Sequence, residues 1–123
     1  MRIFVDIDGT ILTRRLDLDY SLSEPLTDRI NKLNNLYDKG YEVVYWTARG
    51  TKTNTDYSEL TIEQLREFGV KYTDVIFGKP EYNIFIDDKN LNAEILDTND
   101  DLVATMISNL DRNWNIVNRG VKK

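Results

Sequence analysis

Apolar positions fall along this chain in short blocks whose spacing switches between that of strands and that of helices. Arg2 to Ile7 is a brief, mostly apolar run of the kind that forms a buried strand, and Asp8-Gly9-Thr10 ends it. Residues 11–24 are mixed and polar, and predict a loop or small hairpin. Ser23-Glu24-Pro25 reads as a helix start with proline in the first turn. Leu26, Ile30, Leu33 and Tyr37 then recur at helical spacing, and Gly40 fits the C-terminal cap. Tyr41 to Trp46 predicts a second buried strand and Thr47 to Asp56 a polar loop. Tyr57, Leu60, Leu65 and Phe68 mark a second helix closed by Gly69. Val75-Ile76-Phe77 predicts a third strand, cut by Gly78-Lys79-Pro80, and Ile84-Phe85-Ile86 a fourth, ending at Asp87-Asp88. Leu102, Val103, Met106, Ile107 and Leu110 form the apolar face of a last helix, with Asp100 and Asp101 at its favourable end. Beyond it, Trp114, Ile116 and Val117 are expected to pack and Lys122-Lys123 to fray.

Strands alternating with helices imply an α/β domain: three layers, with a mainly parallel sheet covered on both faces. Such sheets bind ligands beyond the carboxyl ends of their strands. The unusual polar residues of this chain stand just there. Asp6 and Asp8 follow the first apolar run, Thr47 the second, Lys79 the third, and Asp87 and Asp88 the fourth.

Composition narrows the chemistry. The 123 residues are one domain's worth. There is no cysteine and no histidine, which excludes thiol chemistry, a Ser-His-Asp triad, a phosphohistidine and a histidine-ligated zinc. Carboxylates, hydroxyls, lysine and a hard metal remain. The net charge of −5, with no basic stripe, makes nucleic acid an improbable partner. No apolar run reaches the length of a membrane span, and Met1-Arg2-Ile3-Phe4-Val5-Asp6 turns acidic too early for a signal peptide, so a cytoplasmic address is expected.

Asp6-Ile7-Asp8-Gly9-Thr10 is the strongest feature. In extended chain, residues i and i+2 point the same way, so both carboxylates can face one site. They repel there unless a cation lies between them or one takes up a proton. Magnesium favours one or two carboxylates with waters and phosphate, and Asp87-Asp88 would complete an acidic cage with Asp6 and Asp8. Gly9 allows a sharp turn that offers amides to a phosphate, and Thr10 adds a donor. In this scheme Asp6 is the nucleophile and forms an aspartyl-phosphate, while Asp8 is the general acid and base. Thr47 binds the phosphoryl group and Lys79 supplies positive charge to it and to Asp6. Ala48 and Arg49 extend the phosphate site, where the planar fork of Arg49 either grips a phosphate or substrate carboxylate or forms a surface salt bridge. Arg14 and Arg15 lie in the flap, at least one of them simply solvated, and Lys52 has a weaker claim. Trp46 and the tyrosines are expected to pack rather than to stack on a ligand.

Asp6-x-Asp8-Gly9-Thr10, Thr47, Lys79 and Asp87-Asp88, in that order, resemble the four motifs of the haloacid dehalogenase-like phosphatases. Trp46-Thr47-Ala48-Arg49-Gly50, Phe77-Gly78-Lys79-Pro80 and Ile86-Asp87-Asp88-Lys89 further resemble a cap-less subgroup associated with capsular polysaccharide and sugar-phosphate biosynthesis. The resemblance implies a Rossmann-like core without a cap domain, a magnesium ion, an open site and a small phosphorylated substrate such as a sugar phosphate. It also implies that a second copy of the chain can serve as a lid. Two rivals share parts of the pattern. A polynucleotide end phosphatase would use the same chemistry but is disfavoured by the acidic charge. A receiver-like phospho-accepting domain would place its acidic pair first and its lysine last, whereas Lys79 here precedes Asp87-Asp88.

Overall fold

The computed structural model describes the backbone of residues 1–120 and the side chains of residues 1–110. Trp114, Ile116, Val117, Lys122 and Lys123 therefore lie outside the described side chains. The chain divides into two compact units, Met1–Asn83 and Ile84–Lys123.

The first unit is α/β, as expected. It runs β1 (Arg2–Val5), α1 (Thr27–Asp38), β2 (Glu42–Trp46), α2 (Ser58–Glu67) and β3 (Asp74–Ile76), with one 3₁₀ turn at Tyr20–Leu22. The sheet is parallel throughout, in the order β1-β2-β3. Val5 pairs with Tyr45 at one side of β2, and Trp46 with Ile76 at the other. Val43, Val44 and Tyr45 of the central strand are all buried, which accounts for its unbroken apolar run.

β1 ends two residues earlier than the apolar run predicts. The Ile7 carbonyl accepts the amides of Thr10, Ile11 and Leu12 at 3.0, 2.9 and 3.2 Å, so the chain curls at Ile7 instead of continuing the ladder. Gly9 takes the required left-handed turn at φ +84°. α1 starts at Thr27, not at Ser23-Glu24-Pro25, because those residues close the base of the flap. Thr13 N donates to the Glu24 carbonyl at 2.8 Å, Glu24 N to Thr13 Oγ1 at 2.9 Å, and Leu12 bridges Pro25. Ile30, Leu33 and Leu36 bury one face of α1, while Tyr37, expected on that face, is exposed. Gly40, at φ +100°, ends the helix as expected, and Tyr41 N reaches back to the Leu36 carbonyl at 3.1 Å.

In the second unit, Ile84-Phe85-Ile86 forms no strand, and all three side chains are exposed. A 3₁₀ turn (Ala93–Asp97) packs against α3 (Asp100–Gly120), whose first turn is capped by Asn99 Oδ1 accepting from Leu102 N at 2.8 Å. Of the face predicted for this helix, Val103 is buried, whereas Leu102 and Met106 are exposed.

Leu65, 0% exposed on α2, tests the core beneath the functional residues of that helix. Leu65→Ala should lower the unfolding free energy by about 2–5 kcal/mol, read from the urea midpoint. A loss under about 1 kcal/mol would mean that α2 is not docked as described.

Candidate active site

Three loops meet beyond the carboxyl ends of the strands of the first unit. The loop after β1 carries Asp6, Asp8 and Thr10, that after β2 carries Thr47 to Asp56, and that after β3 carries Lys79. The β2 and β3 loops are stitched together by backbone. Thr47 N donates to the Ile76 carbonyl at 3.0 Å, and the Thr47 carbonyl accepts from Lys79 N at 3.1 Å. Thr51 Oγ1 adds a bond to the Lys79 carbonyl at 2.9 Å.

Asp6 is held loosely. Lys79 Nζ is 3.4 Å from Oδ1 and Thr10 Oγ1 is 3.4 Å from Oδ2, both beyond the usual hydrogen-bond range. Its side chain is 40% exposed, while that of Lys79 is only 12% exposed, lying 5.5 Å from the Trp46 ring centre and 5.3 Å from that of Tyr82. The Lys79 ammonium thus lies over both aromatic rings while it faces the edge of Asp6. Thr47 lies beneath, 1% exposed. Its Oγ1 accepts from Arg49 N at 3.1 Å, which leaves the hydroxyl hydrogen as its donor.

Asp8 is held tightly. Arg49 Nε donates to Oδ2 at 2.9 Å and Nη2 to Oδ1 at 2.8 Å, a two-pronged ion pair. The Arg49 side chain is fully buried and that of Asp8 18% exposed. On the far side, Arg49 Nη1 donates to Gln64 Oε1 at 2.7 Å and to Thr61 Oγ1 at 3.2 Å. The guanidinium carbon lies 4.5 Å from the ring centre of Tyr20, which meets Tyr57 edge-on at 5.0 Å. Gln64 Nε2 donates to the Tyr20 carbonyl at 2.6 Å and so pins the flap to α2. Burial, and after it the negative charge of Asp8, pushes the Tyr20 hydroxyl above its ordinary value, with the Arg49 cation opposing.

Several expectations change. Arg49 points inward rather than to the surface: four of its five N–H donors bond Asp8, Thr61 and Gln64. The amides of Gly9 and Thr10 are likewise engaged, with the Leu12 and Ile7 carbonyls at 2.8 and 3.0 Å, so they are not presented to a ligand. Arg15 is taken by Asp17, with Nη2 at 2.6 Å, and Arg14 is exposed. Ala48 and Lys52 border a shallow cleft with Tyr20, Gly50 and Tyr57. Sequence reasoning missed Thr61, Gln64 and Tyr20. Polar residues three apart on the core side of an otherwise amphipathic helix were the available signal for the first two.

Compared with family models and with curated proteins, the chain has no match. Among solved structures it is similar to the crystal structure of an MCSG target from Vibrio cholerae. The two share 26% sequence identity with a TM-score of 0.77 over 92% of this chain and 98% of that one. That likeness supports the α/β fold along nearly the whole length.

The donor chemistry fits a hard cation in part. The first unit contributes the oxygens of Asp6, lightly engaged and half-buried, and of Asp8, and magnesium asks for one or two carboxylates. Asp87 and Asp88, also expected as ligands, are exposed residues of the second unit, where Asp87 Oδ1 accepts from Asp88 N at 2.8 Å. Among the described residues, no group of three or more acidic side chains forms a ready metal cluster.

The loop that supplies Arg49 depends on Gly50, at φ +82°, where an added Cβ would lie 1.9 Å from the Thr55 carbonyl oxygen. Gly50→Ala should cost roughly 1–3 kcal/mol from backbone strain, read by thermal unfolding, and should disturb the Arg49 side chain next to it. An unchanged melting temperature would refute this loop geometry.

Proposed function

We propose that this protein is a magnesium-dependent phosphohydrolase that cleaves a phosphate monoester through an aspartyl-phosphate on Asp6. The observation that carries this reading is the pairing of unlike aspartates. Asp6 is half-buried, loosely held and faced by the ammonium of Lys79, whereas Asp8, two residues on, is clamped by a buried guanidinium. A nucleophile must be free to leave its partners, and an acid–base group must be aimed.

In the first half-reaction an Asp6 carboxylate oxygen attacks phosphorus and the ester P–O bond breaks. Asp8 delivers a proton to the departing oxygen. In the second, water attacks the same phosphorus, Asp8 takes its proton, and the bond from phosphorus to Asp6 breaks to release phosphate. Lys79 balances charge on the phosphoryl oxygens, and the Thr10 and Thr47 hydroxyls are the neighbouring donors. When bound, magnesium supplies positive charge that offsets the repulsion between Asp6 and the phosphate. The flap is only hairpin-sized and nothing is inserted between Phe77 and Lys79, so the site is open to a bulky substrate. Together with the resemblance to cap-less haloacid dehalogenase-like phosphatases, this favours a phosphorylated sugar or related metabolite.

Purified protein should hydrolyse p-nitrophenyl phosphate with magnesium and lose that activity in chelator; equal rates in both would remove the metal from the scheme. Asp6→Asn should abolish turnover with an unchanged far-ultraviolet spectrum, and full activity in that variant would eliminate the nucleophile. Asp8→Asn should slow turnover by roughly 10²–10⁴-fold, the usual worth of general acid–base catalysis. A screen of sugar phosphates beside a 3′-phosphorylated oligonucleotide decides the substrate class.

A further inference from the structure

A buried arginine with four of its five donors bonded inside the protein has a use beyond stability. We infer that Arg49 is a positioning residue that aims the Asp8 carboxylate at the leaving-group oxygen, and that Gln64 and the flap residue Tyr20 hold Arg49 in place for it. This rests on the phosphohydrolase reading above.

Four bonds fix the guanidinium: two to Asp8 at 2.8 and 2.9 Å, and two from Nη1 to Gln64 and Thr61 at 2.7 and 3.2 Å. The plane of the fork is therefore set from behind, by α2, and the carboxylate plane of Asp8 must match it. One face of the plane lies against Tyr20, 4.5 Å away, whose own carbonyl is tied to Gln64 at 2.6 Å. The carboxylate cannot rotate without breaking a charged pair inside the protein. A lysine could supply the charge but not the plane. Arg49 makes these contacts with its side chain fully buried, so it acts on the reaction through Asp8 and not on the phosphate.

Proton delivery matters most when the departing oxygen is basic. The test compares kcat/KM for phenyl phosphate, whose phenolate leaves poorly, with p-nitrophenyl phosphate, whose phenolate leaves readily. It uses wild type, Arg49→Lys and Gln64→Met, each checked for fold by circular dichroism. Arg49→Lys should lose on the order of 10²-fold on phenyl phosphate and about tenfold or less on p-nitrophenyl phosphate. Competitive inhibition by inorganic phosphate should stay within about twofold of wild type, because Arg49 does not touch phosphate. Gln64→Met leaves the fork on Asp8 but frees its far end, and should show the same ordering at smaller size, so it decides the matter if Arg49→Lys does not fold. Equal losses on both esters would reduce Arg49 to a structural role, and weakened phosphate inhibition would make it a phosphate ligand; either overturns the inference alone. Absence of hydrolysis by wild type would overturn the phosphohydrolase reading, and this inference with it.

Discussion

A guanidinium without water must find its counter-charge and its hydrogen-bond acceptors in the protein, and Arg49 is such a group. Removing an ion from water costs several kcal/mol, and only good geometry offsets it. Here the geometry comes from four residues: Asp8 in front, Thr61 and Gln64 behind, and the Tyr20 ring on one face. Each of these constrains an element. α2 must turn a polar edge inward, the flap must return across the loop after β2, and the chain after β1 must present Asp8 rather than continue the sheet. Gly50 serves the same end by turning the backbone just after the buried side chain.

Two residues away, Asp6 lives under the opposite rule. Its contacts are long, its side chain is less enclosed than that of Asp8, and its cationic neighbour lies over aromatic rings. Chain proximity makes the two aspartates look equivalent, but their surroundings make them different. One carboxylate is anchored where its orientation counts; the other is left able to exchange partners.

Much of this was legible in the residues. β2 and β3 were visible as apolar runs, Gly40 as a helix end, and the sites after the strands as positions of Asp6, Asp8, Thr47 and Lys79. Boundaries were less legible, because hydrogen bonds that skip along the chain decide them. The Ile7 carbonyl, collecting three amides, stops β1, and Glu24 and Pro25 are drawn to Thr13 and Leu12 before α1 can begin. Ile84-Phe85-Ile86 has strand composition but forms none, because β-propensity is decided by tertiary context more than by composition. The inward role of Arg49 was hidden for a related reason. An arginine in a polar loop carries no mark of burial, and its receptors, Thr61 and Gln64, lie on a helix read for its leucines.

The base of the flap is closed by the Thr13–Glu24 pair and the Leu12–Pro25 bridge, while Leu16 at its tip is 91% exposed. Folding of the sheet therefore makes no demand on the number of residues between the closing pair and Tyr20. Lengthening such a loop is cheap, about 0.6 kcal/mol for each doubling. Evolution or an engineer can rewrite that stretch, and with it whatever overhangs the mouth of the cleft, without reopening the question of how the aspartates are held.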